Sequence, residues 1–252
     1  MLRPASESGN GSLRSVPLSQ ARSTPRRRSG GAGWKYDEDM ALLRRQLLTL
    51  CGLVEERIDM GFCAVLERDS ALARRVVDGD VEVDALELRV DETCRRLLAL
   101  RHPASDLRLI TAALKIVVDL ERMGDLAVNI AKRGIELAGL PRIQPLPDLE
   151  RLWEACQRQV RSAFACLAAA DVGRAQKTIG NDELVDARYH TLFTELLALM
   201  MEDPKNVHGG NSLLFVAKHL ERLGDHAVNV AEMVIYMVKG KEIRHPRSRQ
   251  RG

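Results

Sequence analysis

One stretch occurs twice. Residues 119–131 read DLERMGDLAVNIA and residues 219–231 read HLERLGDHAVNVA; from 121 to 131 and from 221 to 231, eight of eleven positions are identical. A repeat that close, a hundred residues apart, says that one structural unit is used twice, and any fold must build both copies alike. Inside it Glu121 and Asp125 stand four apart, as do Glu221 and Asp225. On a helix that spacing sets two carboxylates on one face with Cβ atoms about 6 Å apart, a mildly unfavourable pairing unless something neutralises it. Asn129 and Asn229 extend the row by a turn.

The apolar pattern around the repeat has the helical period. Leu43, Leu47, Leu50, Val54, Ile58, Phe62 and Val65 recur at steps of three and four, predicting one long amphipathic helix that begins near residues 34–37. Asp69 is placed to cap a second helix through Val76, Val83, Val90, Cys94 and Leu97 to about Leu100, and it contains Asp80 and Asp84, another acidic pair four apart. His102 and Pro103 mark a turn, and a third helix from about Ser105 to Ala138 holds the first motif. Gly139 reads as its stop, and Pro141, Pro145 and Pro147 stiffen a linker over residues 141–147. Then the pattern restarts: Leu149, Leu152, Cys156, Val160, Phe164 and Leu167 predict a fourth helix, Asp171 stands 102 positions after Asp69, and Asp182 and Asp186 repeat Asp80 and Asp84 at the same offset on a fifth. Asp203 and Pro204 turn the chain, Gly209 and Gly210 read as a loop, and a sixth helix runs from about Asn211 to Lys239. The expected fold is all-α: two tandem homologous three-helix bundles, residues 35–140 and 148–240, six long helices with no strand.

Counting brings the acidic pairs together. In an antiparallel hairpin, positions equidistant from the turn lie side by side; midway between the Asp80/Asp84 and Glu121/Asp125 pairs is the turn at His102 and Pro103, and midway between Asp182/Asp186 and Glu221/Asp225 is the turn at Asp203 and Pro204. Each unit therefore carries four carboxylates to one level. So close, they either raise one another's pKa, pair with bases such as Arg122 and Arg222, or bind a cation, and oxygen-only ligands suit magnesium, calcium, manganese or iron. His190 and His226 lie beside the second set alone.

Charge and cysteines exclude other classes. The net charge of +3 conceals an acidic body, −7 over residues 35–238, between two basic segments of +5 each, residues 1–34 and 239–252. With no basic stripe on the folded part, specific nucleic-acid binding is not expected. The first 34 residues, rich in Ser, Gly, Pro and Arg, read as a disordered basic extension without the apolar core of a secretory signal, and residues 241–252 as a basic tail. No apolar run approaches the roughly 18 residues of a membrane span. Cys51, Cys63, Cys94, Cys156 and Cys166 form no CxxC pair and mostly fall on the apolar rows, as reduced core thiols do.

The paired ERMGDLAVNIA and ERLGDHAVNVA, with VEVDALE, LLALRHPASDLRLITAALKI and LLALMMEDPKN in the same order, resemble the PhoU family of phosphate-signalling regulators over residues 36–240. The resemblance implies two three-helix bundles whose ExxxD motifs hold multinuclear clusters of iron or another metal, zinc included. By motif the ligands are Asp80, Asp84, Glu121 and Asp125, and Asp182, Asp186, Glu221 and Asp225. It also implies a cytoplasmic adaptor and not an enzyme. Such an adaptor is a homodimer that links the ATP-binding subunit of the Pst phosphate transporter to a sensor histidine kinase, negatively regulating the phosphate-starvation response. Two departures stand out: the basic extension, and His219 where the first motif has Asp119, which implies two unequal sites. A carboxylate-bridged di-iron oxidase or metal-storage bundle is the alternative, but its Glu-x-x-His motif occurs only at residues 242–245, in the tail. A phosphotransfer bundle would need His190 or His226, and both sit beside carboxylates that repel a phosphoryl group.

Overall fold

The structure is a computed structural model that describes residues 31–101, 103–143 and 147–242, with side chains from Lys35 onward. It is all-α, two tandem homologous three-helix bundles. The helices are α1 (Gly31–Glu67), α2 (Ser70–Asp78), α3 (Asp80–Leu98), α4 (Ala104–Ala138), α5 (Pro147–Ala169), α6 (Val172–Gly180), α7 (Asp182–Glu202) and α8 (Val207–Lys239), with a 3-10 turn at Pro204–Asn206. The apolar rows read from the sequence are the core: Leu43, Leu47, Leu50, Val54, Ile58, Phe62 and Val65 of α1 are all buried, as are Leu152, Cys156, Val160 and Leu167 of α5. Among the described residues no helix is long and apolar enough to cross a membrane.

Three details differ from expectation. The middle helix of each unit is two helices, broken at Gly79 and at Asn181, because both residues sit with ψ near zero and end the preceding helix by bonding back to its carbonyls. Consequently Asp80 and Asp182 are the first residues of α3 and α7, a position that favours a carboxylate. Gly209 and Gly210 lie inside α8, which starts at Val207; both are buried, where a Cβ on Gly210 would stand 2.6 Å from the Met200 side chain. And α1 begins at Gly31. Residues 1–30, His102 and the segments 144–146 and 243–252 lie outside the described residues.

The turns after α1 and α5 are copies. Arg68 and Ala170, 102 positions apart, take φ of 57° and 50°, the left-handed region. Asp69 then accepts hydrogen bonds from the amides of Ala71 and Leu72, and Asp171 from that of Arg174, each capping the next helix. Arg68 is held in place by its guanidinium, which donates to the carbonyls of Leu140 and Pro141.

The bundles meet along two antiparallel helix pairs. α4 lies on α8, where Asp119 Oδ1 accepts from Asn229 Nδ2 at 3.0 Å and faces His226 Nδ1 at 2.9 Å, Ser212 donates to Glu136 at 3.1 Å, and Arg108 reaches the Met237 carbonyl at 3.4 Å. α1 lies on α5: the Phe62 and Trp153 rings stack at 4.3 Å, and Arg161 bonds Glu55 and Asp59 at 2.9 Å each. Asp59 and Arg161 are themselves 102 apart, the same position of the two repeats, as partners beside a twofold axis must be. The Asn229 expected to prolong the acidic row turns instead to the other bundle, and Asp119 anchors the bundle interface rather than a metal site.

Candidate functional site

Each carboxylate set is built by a hairpin, α3 with α4 and α7 with α8. The glycine inside each motif permits the approach: a Cβ at Gly124 would stand 3.1 Å from Val83 Cγ1, and one at Gly224 would stand 2.9 Å from Gln159 Oε1 and 3.3 Å from Val185 Cγ1. Val83 and Val185 are buried three residues into α3 and α7, so their neighbours are carried to the motif's level.

In the first unit the four carboxylates feel one another. The Asp80 carboxyl is pushed up from its ordinary value by partial burial, then by Asp84 and Asp125, against the opposing pull of Lys132 and Arg57. Glu121 is pushed up by burial, by Asp125, and by Glu87 and Asp84, with Arg122 opposing. Asp80 thus neighbours Asp125 while Asp84 neighbours Glu121, the crossed order an antiparallel hairpin requires. Arg122 lies 3.4 Å from Glu121 and 3.1 Å from Asp125, partly neutralising the set as its own helix allows.

The second unit is more strongly perturbed. Asp225 is raised from 3.8 to about 6, by partial burial first, then by Glu221, Asp182 and Asp186, with Lys218 opposing. Lys218 Nζ lies 2.7 Å from the solvent-shielded Glu221 Oε2, in ion-pair distance but not aligned as a hydrogen bond. Gln159, buried between α5 and α7, donates to Asp182 at 3.1 Å while its own carbonyl oxygen has no hydrogen-bond partner. His226 faces Asp119 rather than this set, and His190 is exposed beside the Tyr189 ring. His219 is depressed to about 4 by burial and by Arg133 and Arg222. This half-buried imidazole feels Arg133 of α4, across the bundle contact.

All eight carboxylates expected from the sequence therefore gather in two groups of four. Among the described residues no three His, Cys, Asp or Glu side chains close to ligand distances, so the groups stand as charge clusters. Their donor chemistry fits a hard cation: oxygen only, mutually repelling, on helix faces fixed by packing. Sequence reasoning missed Glu87, which stands on the Asp84 face three residues on, and Lys218, three residues before Glu221; an i, i+3 search would have found both.

Two tandem bundles, each carrying a carboxylate cluster across its last hairpin, define a class of duplicated helical-bundle proteins. The PhoU domain model matches the chain twice, over residues 47–134 and 149–234, so the chain belongs to the PhoU family. It is 38% identical over 215 residues to a "Phosphate-specific transport system accessory protein PhoU homolog" of Pseudomonas putida, covering 84% of this chain and 83% of that one. It is 39% identical over 210 residues to the homolog of Caulobacter vibrioides, with 82% and 91% covered. The crystal structure of PhoU from Pseudomonas aeruginosa superposes with a TM-score of 0.77 at 38% identity, covering 82% of this chain and 100% of that one. The phosphate transport system regulatory protein PhoU from Streptococcus pneumoniae does so at 0.77 and 26% identity, with 83% and 100% covered.

Proposed function

We propose that this chain is a cytoplasmic accessory regulator of phosphate uptake. In this reading the bundles, residues 35–140 and 148–240 joined by the linker at 141–147, form an adaptor between the ATP-binding subunit of a Pst-type phosphate transporter and a sensor histidine kinase. It represses the phosphate-starvation response when phosphate is plentiful, works as a homodimer and performs no catalysis itself. What supports the reading is the family match across both repeats, together with relatives whose names place them beside a phosphate-specific transport system.

The same reading gives the clusters a metal. Asp80, Asp84, Glu121 and Asp125 would hold one centre and Asp182, Asp186, Glu221 and Asp225 the other, with iron the first candidate and zinc, manganese, magnesium or calcium behind it. A bound cation supplies charge neutralisation, tying α3 to α4 and α7 to α8. The chain's own part is to hold these carboxylates at one level through Gly124 and Gly224, and to keep Lys218 and Arg122 as partial counter-charges.

Two experiments test this. Deleting the gene in phosphate-replete cells should derepress a phosphate-starvation reporter, and the intact chain should capture the transporter's ATP-binding subunit; a silent reporter and no capture would end the adaptor reading. Elemental mass spectrometry on protein purified without chelator should find stoichiometric metal, lost site by site in Asp84→Ala/Glu121→Ala and Asp186→Ala/Glu221→Ala; metal that persists in both variants would remove these residues as ligands.

A further inference from the structure

The repeat that makes the bundles alike also exposes where they differ. On α7, Tyr189, Phe193, Leu197 and Met201 follow at intervals of four and form one row. Phe193, Leu197 and Met201 are 37%, 39% and 86% exposed, and the half-buried Tyr189 ring lies 6.1 Å from that of Phe193. The core side of the helix is filled separately, by Val185, Leu192 and Leu196. At the same positions of the first repeat, 102 earlier, stand Glu87, Asp91, Arg95 and Ala99. There Arg95 pairs with Asp91 at 3.1 Å and Glu92 at 2.8 Å, as a solvated face does. The fold therefore does not require the apolar row, since the same architecture is built with two acids, an arginine and an alanine in its place, and a contiguous exposed apolar strip marks a surface made to be covered.

Charge says by what. Toward the start of α7 the row runs into Asp182 and Asp186, with Glu221 and Asp225 beside them on α8; past Met201 come Glu202 and Asp203. Lys218, 5.3 Å above the Tyr189 ring, is already committed to Glu221. An apolar row closed by acids at both ends repels an anionic membrane, and it repels a second copy of itself laid end to end. It attracts a basic amphipathic partner.

We propose that this row docks an amphipathic helix of a partner protein, which lays an apolar stripe along Tyr189, Phe193, Leu197 and Met201 and sets Lys or Arg side chains over the carboxylates at the head of α7. From Tyr189 to Met201 the row runs about 18 Å, matching three to four turns of a docked helix. The inference deepens the adaptor reading, rests on it only for the existence of a partner, and concerns the chain with its second cluster free of metal, where the carboxylates keep their charge; its test needs neither the transporter nor the kinase, so the two fail separately.

The test measures fluorescence anisotropy of the full chain, in chelator, with a side-chain-stapled helical peptide of about 16 residues, four Leu on one stripe and three Lys at one end; stapling is needed because free helices this short are marginal. A twin peptide carries Glu in place of Lys. The Lys peptide should bind, the Glu twin roughly tenfold or more weakly, and Phe193→Ser/Leu197→Ser/Met201→Ser should lose roughly tenfold or more. Asp91→Ser/Arg95→Ser, at the same face of the first repeat, should bind as the unaltered chain does. All these residues are at the surface, so circular dichroism should be unchanged. The proposal is overturned by absence of binding, by equal binding of both peptides, or by binding that the triple variant retains. It is overturned too if that variant dissolves a dimer seen in sedimentation, which would make the occupant a second copy, or if it abolishes binding to phosphatidylglycerol vesicles, which would make it a lipid surface.

Discussion

Asp225 gives the sharpest test of the carboxylate clusters, because removing its charge should stabilise the metal-free protein. Folding raises this carboxyl from 3.8 to about 6. The folded chain therefore holds the proton more tightly than the unfolded one. The group favours the fold below its ordinary value, and that favour is lost as pH climbs through about 6. A rise of that size corresponds to a ceiling of about 3 kcal/mol. Asp225 is exposed, however, and solvent screening reduces the realistic figure to about 1 kcal/mol. Asp225→Asn keeps the shape and deletes the charge. In chelator at pH 7.5, urea unfolding followed by circular dichroism should show the variant more stable by about 1 kcal/mol, or about 2–4 °C in Tm. At pH 4, where the folded wild type is protonated, the difference should shrink to nearly zero, and raising salt should shrink it at pH 7.5 as well. Saturating manganese should invert the order, since a ligand at a hundred times its Kd adds about 2.7 kcal/mol to whichever protein binds it. A metal-free variant that is less stable than wild type at pH 7.5, or a gain that persists unchanged at pH 4, would refute the claim that four carboxylates repel one another there.

Other parts of the structure carry their own outcomes. Gly61→Ala should destabilise by roughly 2 kcal/mol or more, because the new Cβ would stand 2.9 Å from the Ala127 carbonyl oxygen, backbone that cannot step aside; Gly52→Ala, with open space around it, should instead stabilise by about 0.5–1 kcal/mol, both read by thermal melts. Asp119→Ala removes the acceptor shared by Asn229 and His226 at the bundle contact and should lower stability by about 1–3 kcal/mol in urea unfolding, more than Asp91→Ala on the exposed face of α3. In a thiol titration of the native protein Cys63 alone should react, and slowly at neutral pH since burial, Glu67 and Asp59 raise it. Cys94 and Cys166 are held up to about 12 by burial, and Cys51 and Cys156 lie higher still, so these should appear only after unfolding.

Much of this was legible in the residues because each signal was local and present twice. The 3.6 period of Leu43 through Val65 and its echo from Leu149 set the helices and their buried faces, since an apolar stripe on a helix must be covered by something. The hairpin count placed Asp84 opposite Glu121 because an antiparallel pair leaves the register little freedom once the turn is fixed. The break at Gly79 and Asn181 was not legible: a single residue with ψ near zero ends a helix without interrupting the apolar pattern, and Asn181 lacks even the glycine signal of its counterpart Gly79. Gly209 and Gly210 misled in the opposite direction, since packing against Met200 and Ile143 rewards small residues that propensity alone counts as a loop.

The sequence by itself determined an all-α chain of two like units, the capping aspartates, and two groups of four carboxylates, because periodicity, capping and duplication act over a few residues at a time. Only the tertiary structure decided what lies between the units. It took Asn229 from the acidic row and joined it to Asp119 across α4 and α8, turned His226 to the same contact, set Asp59 against Arg161 on the axis, and left Phe193, Leu197 and Met201 in water. Those outcomes depend on how two bundles rotate against each other. That rotation is fixed by which side chains pack at helix contacts between residues a hundred positions apart, a distance over which no local pattern carries information.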